Sequence, residues 1–304
     1  MRSIGSRSFL LLVLVGALVA ATPVTANAAT IRRTWTATFA GAATAGPSAS
    51  GSAALVRYWT GSGTFSAKLQ GFLPSKTYAV VIYLGTCAKP TALLRLPNLA
   101  TDANGSVTAS SAITVARMTP VWNKASVGSI ALRISSGADL HCAVLTYPVA
   151  TRVAVPKLGI DLPIVLQRGT AFPYCNVAMY LTGLSQPGEA GVTFLYAHAR
   201  TGMFLPLLTA SLVNNGARMI GMTVNVWTSD DRLITYRITK VLRHQYSLPD
   251  LWSIQSQQLW LQTSEGPYGT YNKLMVVAVR VSVTPAGHAD AHPTPRPVVC
   301  GLYG

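Results

Sequence analysis

The chain has 304 residues and a formal net charge of +15, the balance of 24 Lys and Arg against nine Asp and Glu. No run of five or more basic residues produces that excess; a shortage of acid does, so the plain reading is a soluble surface with a positive field and the sharper one is attraction to an anionic cell-envelope polymer, while the absence of a recognition motif and the leader described below argue against a nucleic-acid partner. The length exceeds what one compact domain usually holds, so two domains are expected.

Residues 1–28 read as a signal peptide. Arg2 and Arg7 precede the apolar run FLLLVLVGALVAA, and Ala-Asn-Ala before Ala29 has the small-x-small form that a signal peptidase cleaves. The run falls short of the roughly 18 to 20 apolar residues that span a bilayer, so a retained anchor is the lesser reading, and membrane association follows only if the leader stays. The expected location is secreted or extracellular, in association with the cell envelope. Export favours oxidised thiols. Cys87, Cys142, Cys175 and Cys300 allow three pairings, and keeping each bridge inside one half of the chain favours Cys87 with Cys142 and Cys175 with Cys300.

Residues 29–148 repeat one theme, short β-rich runs separated by Gly, Pro, Ser and Asn. RTWTATFAG, GSAALVRYW, GTFSAKLQGF, TYAVVIYLG, GSVTASSAITV, SIALRISS and CAVLTY are the candidate strands, several alternating with period two, and together they predict a β-sandwich. Nothing here has the spacing of paired carboxylates, metal ligands or a phosphate loop. His141, beside Cys142, reads as a partly buried structural histidine, and the module as a spacer or adhesive unit.

A Pro-bounded linker around residues 147–156 leads into residues 149–284, where the texture changes. CNVAMYLTGL suits a short helix or turn, and FLPLLTASLV suits a short helix interrupted by Pro206. GVTFLYAHA alternates so that Val192, Phe194, Tyr196 and His198 share one face of a strand. MTVNVWTS, LITYRITKVLRH, LWLQTS and LMVVAVRVSV complete a mostly β domain, expected to be a barrel. The tail, residues 285–304, is rich in Pro, His and Ala. It reads as a flexible linker tied by Cys300, and its His288 and His292 would hold a metal only weakly; no metal site and no cofactor are expected.

His198 ends one strand, Ser264 ends another, and Lys273 begins the next, and strand ends opening onto loops are where a scaffold presents reactive side chains. A nucleophile, a proton carrier and a cation would meet there. Each has a bland alternative: Thr263-Ser264 bonding its own loop with Gly266-Pro267 as a turn, a capping or core histidine, and a solvated lysine on a strand edge.

Four stretches in order, VAVPKLGIDLPIV, TFLYAHARTGMFLPL, the hairpin from Gly216 to Thr239, and LWLQTSEGPYGTYNKLMVVAV, resemble the sortases, the cell-envelope transpeptidases of bacteria, over about residues 150–282. The resemblance implies a β-barrel whose cysteine attacks the Thr-Gly bond of an LPXTG-like sorting signal, with a histidine protonating the leaving amine and an arginine steadying the oxyanion. The implied partners are a peptide and a cell-wall polymer or pilin amine. Ser264 stands where the cysteine belongs, and Lys273 where the arginine belongs. A serine hydroxyl is far harder to ionise than a thiol and needs a base at the moment of attack, a role that falls to His198, with Lys273 as oxyanion partner. Asp161, Glu189, Asp230 and Asp231 are the carboxylates that could orient His198. Cys175 could supply a thiol, but the even cysteine count favours its pairing. The competing function is a sortase-fold module that no longer turns over and grips a cell-surface peptide or anionic polymer.

Overall fold

The computed structural model describes residues 30–40, 49–88, 91–125, 128–167, 173–266 and 271–301. The leader lies outside the described residues, as does the loop of residues 267–270 that would carry the expected Gly-Pro turn.

The first half builds two four-stranded antiparallel sheets. One orders β1 (Ile31–Ala40), β2 (Ser50–Tyr58), β3 (Gly63–Gln70) and β6 (Val107–Ile113); the other orders β5 (Thr91–Ala100), β4 (Thr77–Leu84), β7 (Ile130–Ser136) and β8 (Asp139–Leu145). Period two dictates which residues face inward: along β3, Phe65, Ala67 and Leu69 are buried while Ser66, Lys68 and Gln70 are exposed. The inward residues of both sheets form one core around Trp35, Leu55, Tyr78, Ile82 and Leu132, which makes the expected sandwich.

Two elements of this half differ from the sequence expectation. β5 is a strand despite Pro97, because it lies at a sheet edge and the proline falls where the register with β4 slips between Tyr78 and Val80. The end of the GSVTASSAITV run does not stay extended: Val115–Ala125 is an α-helix, α1, that tolerates Pro120 because Met118, Val121, Trp122 and Ala125 pack one apolar stripe onto the core. His141 is fully buried, not partly, with Nε2 2.8 Å from Asp139, whose other carboxylate oxygen accepts from the Tyr78 hydroxyl. The disulfide Cys87–Cys142 forms as expected.

The second half is a closed eight-stranded barrel: β9 (Ala150–Val155), β10 (Ile160–Leu166), β11 (Ala178–Tyr180), β12 (Val192–Tyr196), β13 (Thr223–Thr228), β14 (Arg232–Gln245), β15 (Gln258–Ser264) and β16 (Lys273–Pro285), in spatial order β10-β11-β12-β15-β16-β14-β13-β9. Closure removes sheet edges. The CNVAMYLTGL stretch is not a helix: Ala178–Tyr180 is a buried strand inserted between β10 and β12, and three flanked residues carry too little periodicity to reveal that. The short helix expected at FLPLLTASLV forms as α2 (Leu205–Ser211), with Pro206 in its first turn, where no N–H is needed. Residues 285–301 of the tail are not a free linker: α3 (His288–Ala291) buries Ala291, and the second disulfide, Cys175–Cys300, fastens the returning chain.

One buried knot joins the halves. Arg33, 2 % exposed, donates Nε and Nη2 to the two oxygens of Glu189, both at 2.8 Å, and Nη2 also to the Leu184 carbonyl at 3.0 Å. Its guanidinium lies 4.1 Å from the Tyr147 ring centroid. Burial alone would lower the Arg33 pKa, but the facing Glu189 charge and hydrogen bonds raise it. A carboxylate 156 residues away in sequence thus completes a charge that could not otherwise be buried.

Candidate functional site

The barrel has an inner and an outer apolar face, and the site lies at the end of the outer one. Leu195, Ala197, Leu259, Leu261, Leu274 and Val276 point into the lumen core. Their neighbours Val192, Phe194, Tyr196, Trp260, Met275 and Val277 form a second cluster outside, roofed by Leu184 and Leu251. The same alternation assigns Ser264 and Lys273 to the outer face.

Strand pairing brings the three expected residues to one place. β12 and β15 run parallel, and their last register pair is Tyr196 with Gln262. Beyond it, the Ala197 N–H donates to the Gln262 carbonyl at 3.2 Å and the Thr263 hydroxyl donates to the Ala197 carbonyl at 2.9 Å. His198 and Ser264 therefore each sit two residues past the last pair on adjacent strands. Across the antiparallel ladder, Ser264 faces Lys273 directly. The Thr-Ser order has a physical meaning: Thr263, 1 % exposed, turns inward and holds the ends of β12 and β15 together, while Ser264 turns to the outer face.

The electrostatics differ from the sequence expectation in one respect. Nζ of Lys273 donates to Oγ of Ser264 at 3.1 Å, so the cation, not the imidazole, contacts the hydroxyl. Burial lowers the Lys273 pKa from its ordinary value. Nε2 of His198 lies 2.9 Å from the Pro173 carbonyl, which can only accept, so Nε2 carries a proton and Nδ1 is the open position of a neutral ring. Burial lowers the His198 pKa; the Pro173 hydrogen bond opposes that, and the charges of Arg200 and Lys273 reinforce it.

None of the candidate carboxylates orients His198. Asp161 is held by Arg152, Glu189 by Arg33, Asp230 by Arg232, and Asp231 by His288 and His292. The backbone carbonyl of Pro173 does so instead. Cys175 is oxidised, and no free cysteine occurs among the described residues.

Three further groups shape the site. Arg200 donates Nη2 to the Gly301 carbonyl at 2.6 Å and lies 3.6 Å from the Cys175 sulfur through Nη1, so the returning tail passes beside the site. Glu265 is buried against Arg243 at 3.0 Å and His244 at 2.9 Å, fixing the end of β15 to the end of β14. The Glu265 N–H closes the loop onto the Asn272 carbonyl at 3.1 Å. Arg200 sits inside the same AHARTG stretch as His198, and that proximity was the available signal; the Pro173 carbonyl has no sequence signal.

Residues 153–281 match the family model described as Sortase domain. No curated protein matches the chain. Among solved structures, sortase C1 of Streptococcus agalactiae is similar at 21% identity and a TM-score of 0.36, over 43% of this chain and 66% of that one. Sortase C of Streptococcus pneumoniae is 18% identical at a TM-score of 0.37, over 45% of this chain and 70% of that one. Sortase A of Listeria monocytogenes is 17% identical at a TM-score of 0.38, over 48% of this chain and 97% of that one. The present chain thus spans slightly under two thirds of the length of the first of these. The match to the family model falls on the eight-stranded barrel and includes His198, Ser264 and Lys273. Residues 153–281 are thus similar to a sortase domain, and a β-rich region of two packed sheets precedes them.

Proposed function

We propose that the outer rim of the barrel is a serine-dependent acyl-transfer centre of sortase type, acting outside the cytoplasm on a sorting-type peptide, with Lys273 and not His198 as the base for Ser264. The contact between Nζ of Lys273 and Oγ of Ser264 carries this reading. An amine whose pKa is lowered by burial can lose its proton at moderately alkaline pH, and a Ser-Lys pair is an established alternative to Ser-His chemistry. A neutral His198 helps, because it adds no positive charge beside Nζ. The two disulfides suit a non-cytoplasmic location.

In this mechanism unprotonated Lys273 takes the Ser264 proton as Oγ bonds to the peptide carbonyl carbon. Arg200, whose charge is felt at His198, is the remaining cation for the developing oxyanion. The proton on Lys273 passes to the departing amine, leaving an ester on Ser264. A second amine, or water, gives a proton to Lys273 as it attacks that ester; the acyl carbon–Oγ bond then breaks and Lys273 passes the proton to Oγ, regenerating Ser264 and the neutral amine.

The test is capture of a serine-directed acylating probe, read by intact mass. Adduct on the wild type, lost in Ser264→Ala and in Lys273→Arg, supports the Ser-Lys assignment. Adduct that survives Lys273→Arg but is lost in His198→Ala returns the base role to histidine. A second reading, a groove that binds peptide without turnover, draws on the engagement of Nε2 of His198 with Pro173 in place of Ser264. No adduct in any variant, together with retained binding of an LPXTG-type peptide, would establish it.

A further inference from the structure

β16 begins at Lys273 and ends at Pro285, and just beyond that far end three ligand-type side chains converge. Asp231 sits in the tight turn between β13 and β14, with a φ of 58° that an aspartate tolerates. His288 and His292 are four residues apart, at the start and just past the end of α3, so both imidazoles project from one side of it. Nδ1 of His288 lies 3.1 Å from each Asp231 carboxylate oxygen, and Nε2 of His292 lies 3.0 Å from Oδ1. The two rings stack with centroids 4.0 Å apart and planes at 27°.

The frame is held by other contacts. The Ala286 N–H donates to the Asp231 carbonyl at 2.8 Å, the His292 N–H donates to the His288 carbonyl at 2.9 Å, Ala291 is buried, and Asp290 is taken by Arg152 at 3.1 Å. The carboxylate and the imidazoles are therefore not what docks the tail. Exposed pairs of this kind contribute little stability, and two histidines stacked on one carboxylate gain less than two separate pairs would. The convergence suits a cation instead. Four-coordinate zinc, with nitrogen and oxygen ligands at about 2.0 to 2.2 Å, sets its ligand atoms about 3.3 Å apart, so the two nitrogen–oxygen gaps need open only by a few tenths of an ångström, and all three ligand atoms already lie within 4.8 Å of one another.

We propose that Asp231, His288 and His292 form a binding site for a first-row divalent cation, Zn²⁺ by its donor set, with water completing the coordination. Two imidazoles and one carboxylate suit zinc, nickel or copper over magnesium or calcium, which take oxygen donors. The bound ion clasps the β13–β14 turn to α3. It gives the tail, whose other end is fastened by Cys300, a second anchor at the opposite end of β16 from Lys273. Each imidazole ligates through a nitrogen lone pair that a bound proton would occupy.

The test uses the full-length protein without a polyhistidine tag, stripped with a chelator and titrated with zinc chloride by calorimetry. One saturable equivalent is expected on the wild type, with at least a tenfold loss of affinity in Asp231→Asn and loss of the saturable phase in the double variant His288→Ala/His292→Ala. His244→Ala is the control and keeps wild-type affinity. The melting temperature should rise with zinc in the wild type and not in the double variant, which circular dichroism must show to be folded. No saturable binding, or an isotherm unchanged in the double variant, overturns the assignment. Magnesium chloride giving the same isotherm as zinc overturns the donor-set argument with it.

Discussion

The Arg33–Glu189 knot and the Lys273–Ser264 pair both rest on a basic side chain meeting a polar partner, the first across 156 residues and the second between neighbouring strands, and they have opposite character. Arg33 is buried and ion-paired, with Nε and Nη2 meeting two carboxylate oxygens and a carbonyl. Lys273 is half-buried, donates to the Ser264 hydroxyl, and has its pKa lowered by burial. A buried ion pair commits a charge to holding structure, whereas an amine whose pKa burial lowers is able to change protonation state.

That contrast should separate cleanly under mutation. Glu189→Ala leaves a buried, uncompensated guanidinium and should lower unfolding stability by about 3 to 5 kcal/mol, read as a shift in denaturant midpoint, with probe capture by the remaining folded fraction unchanged. Lys273→Arg should do the reverse: about a hundredfold loss in acylation rate, because arginine stays protonated, with stability within about 0.5 kcal/mol of wild type. If the arginine variant acylates at the wild-type rate, the contrast fails on the chemical side.

The acylation rate of the wild type should rise with pH, with a midpoint below the ordinary lysine value of about 10.4, because the lowered Lys273 pKa makes the unprotonated amine available earlier. The double variant Ser264→Cys/Lys273→Arg, which replaces the hydroxyl by a thiol and the amine by a group that stays protonated, should lose that lysine-linked rise. Thr263→Val sharpens the comparison from inside the barrel: the Ala197 carbonyl loses its partner, costing about 1 kcal/mol, and acylation should fall because the ends of β12 and β15 are no longer tied. The smallest effect concerns His198. Its folded pKa is lowered, so the unfolded chain binds more protons in the window between that value and about 6.5; stability should fall as pH drops through this window, and His198→Asn should remove that part of the slope.

Alternation made most strands legible, since residues such as Phe65, Ala67 and Leu69 face a core on one side only. Pro97 and Pro120 hid an edge strand and a helix, because in each case tertiary packing outweighs the local cost of proline. His198, Ser264 and Lys273 could be placed together because each sits at a strand boundary in an ordered set of stretches. Their roles could not be read, since those depend on which nitrogen points at which oxygen. Asp231 with His288 and His292, like Arg33 with Glu189, is a contact across a long stretch of chain with no local pattern to announce it.

The bridge between Cys175 and Cys300 spans 125 residues and so encloses β11 to β16 in a single covalent ring, leaving only β9 and β10 of the barrel outside it. A protease that nicks the exposed connection between β14 and β15 therefore frees no fragment: the cut protein keeps its mass, apart from one added water, until a reductant is supplied, and a gel run without one would record the nicked chain as intact.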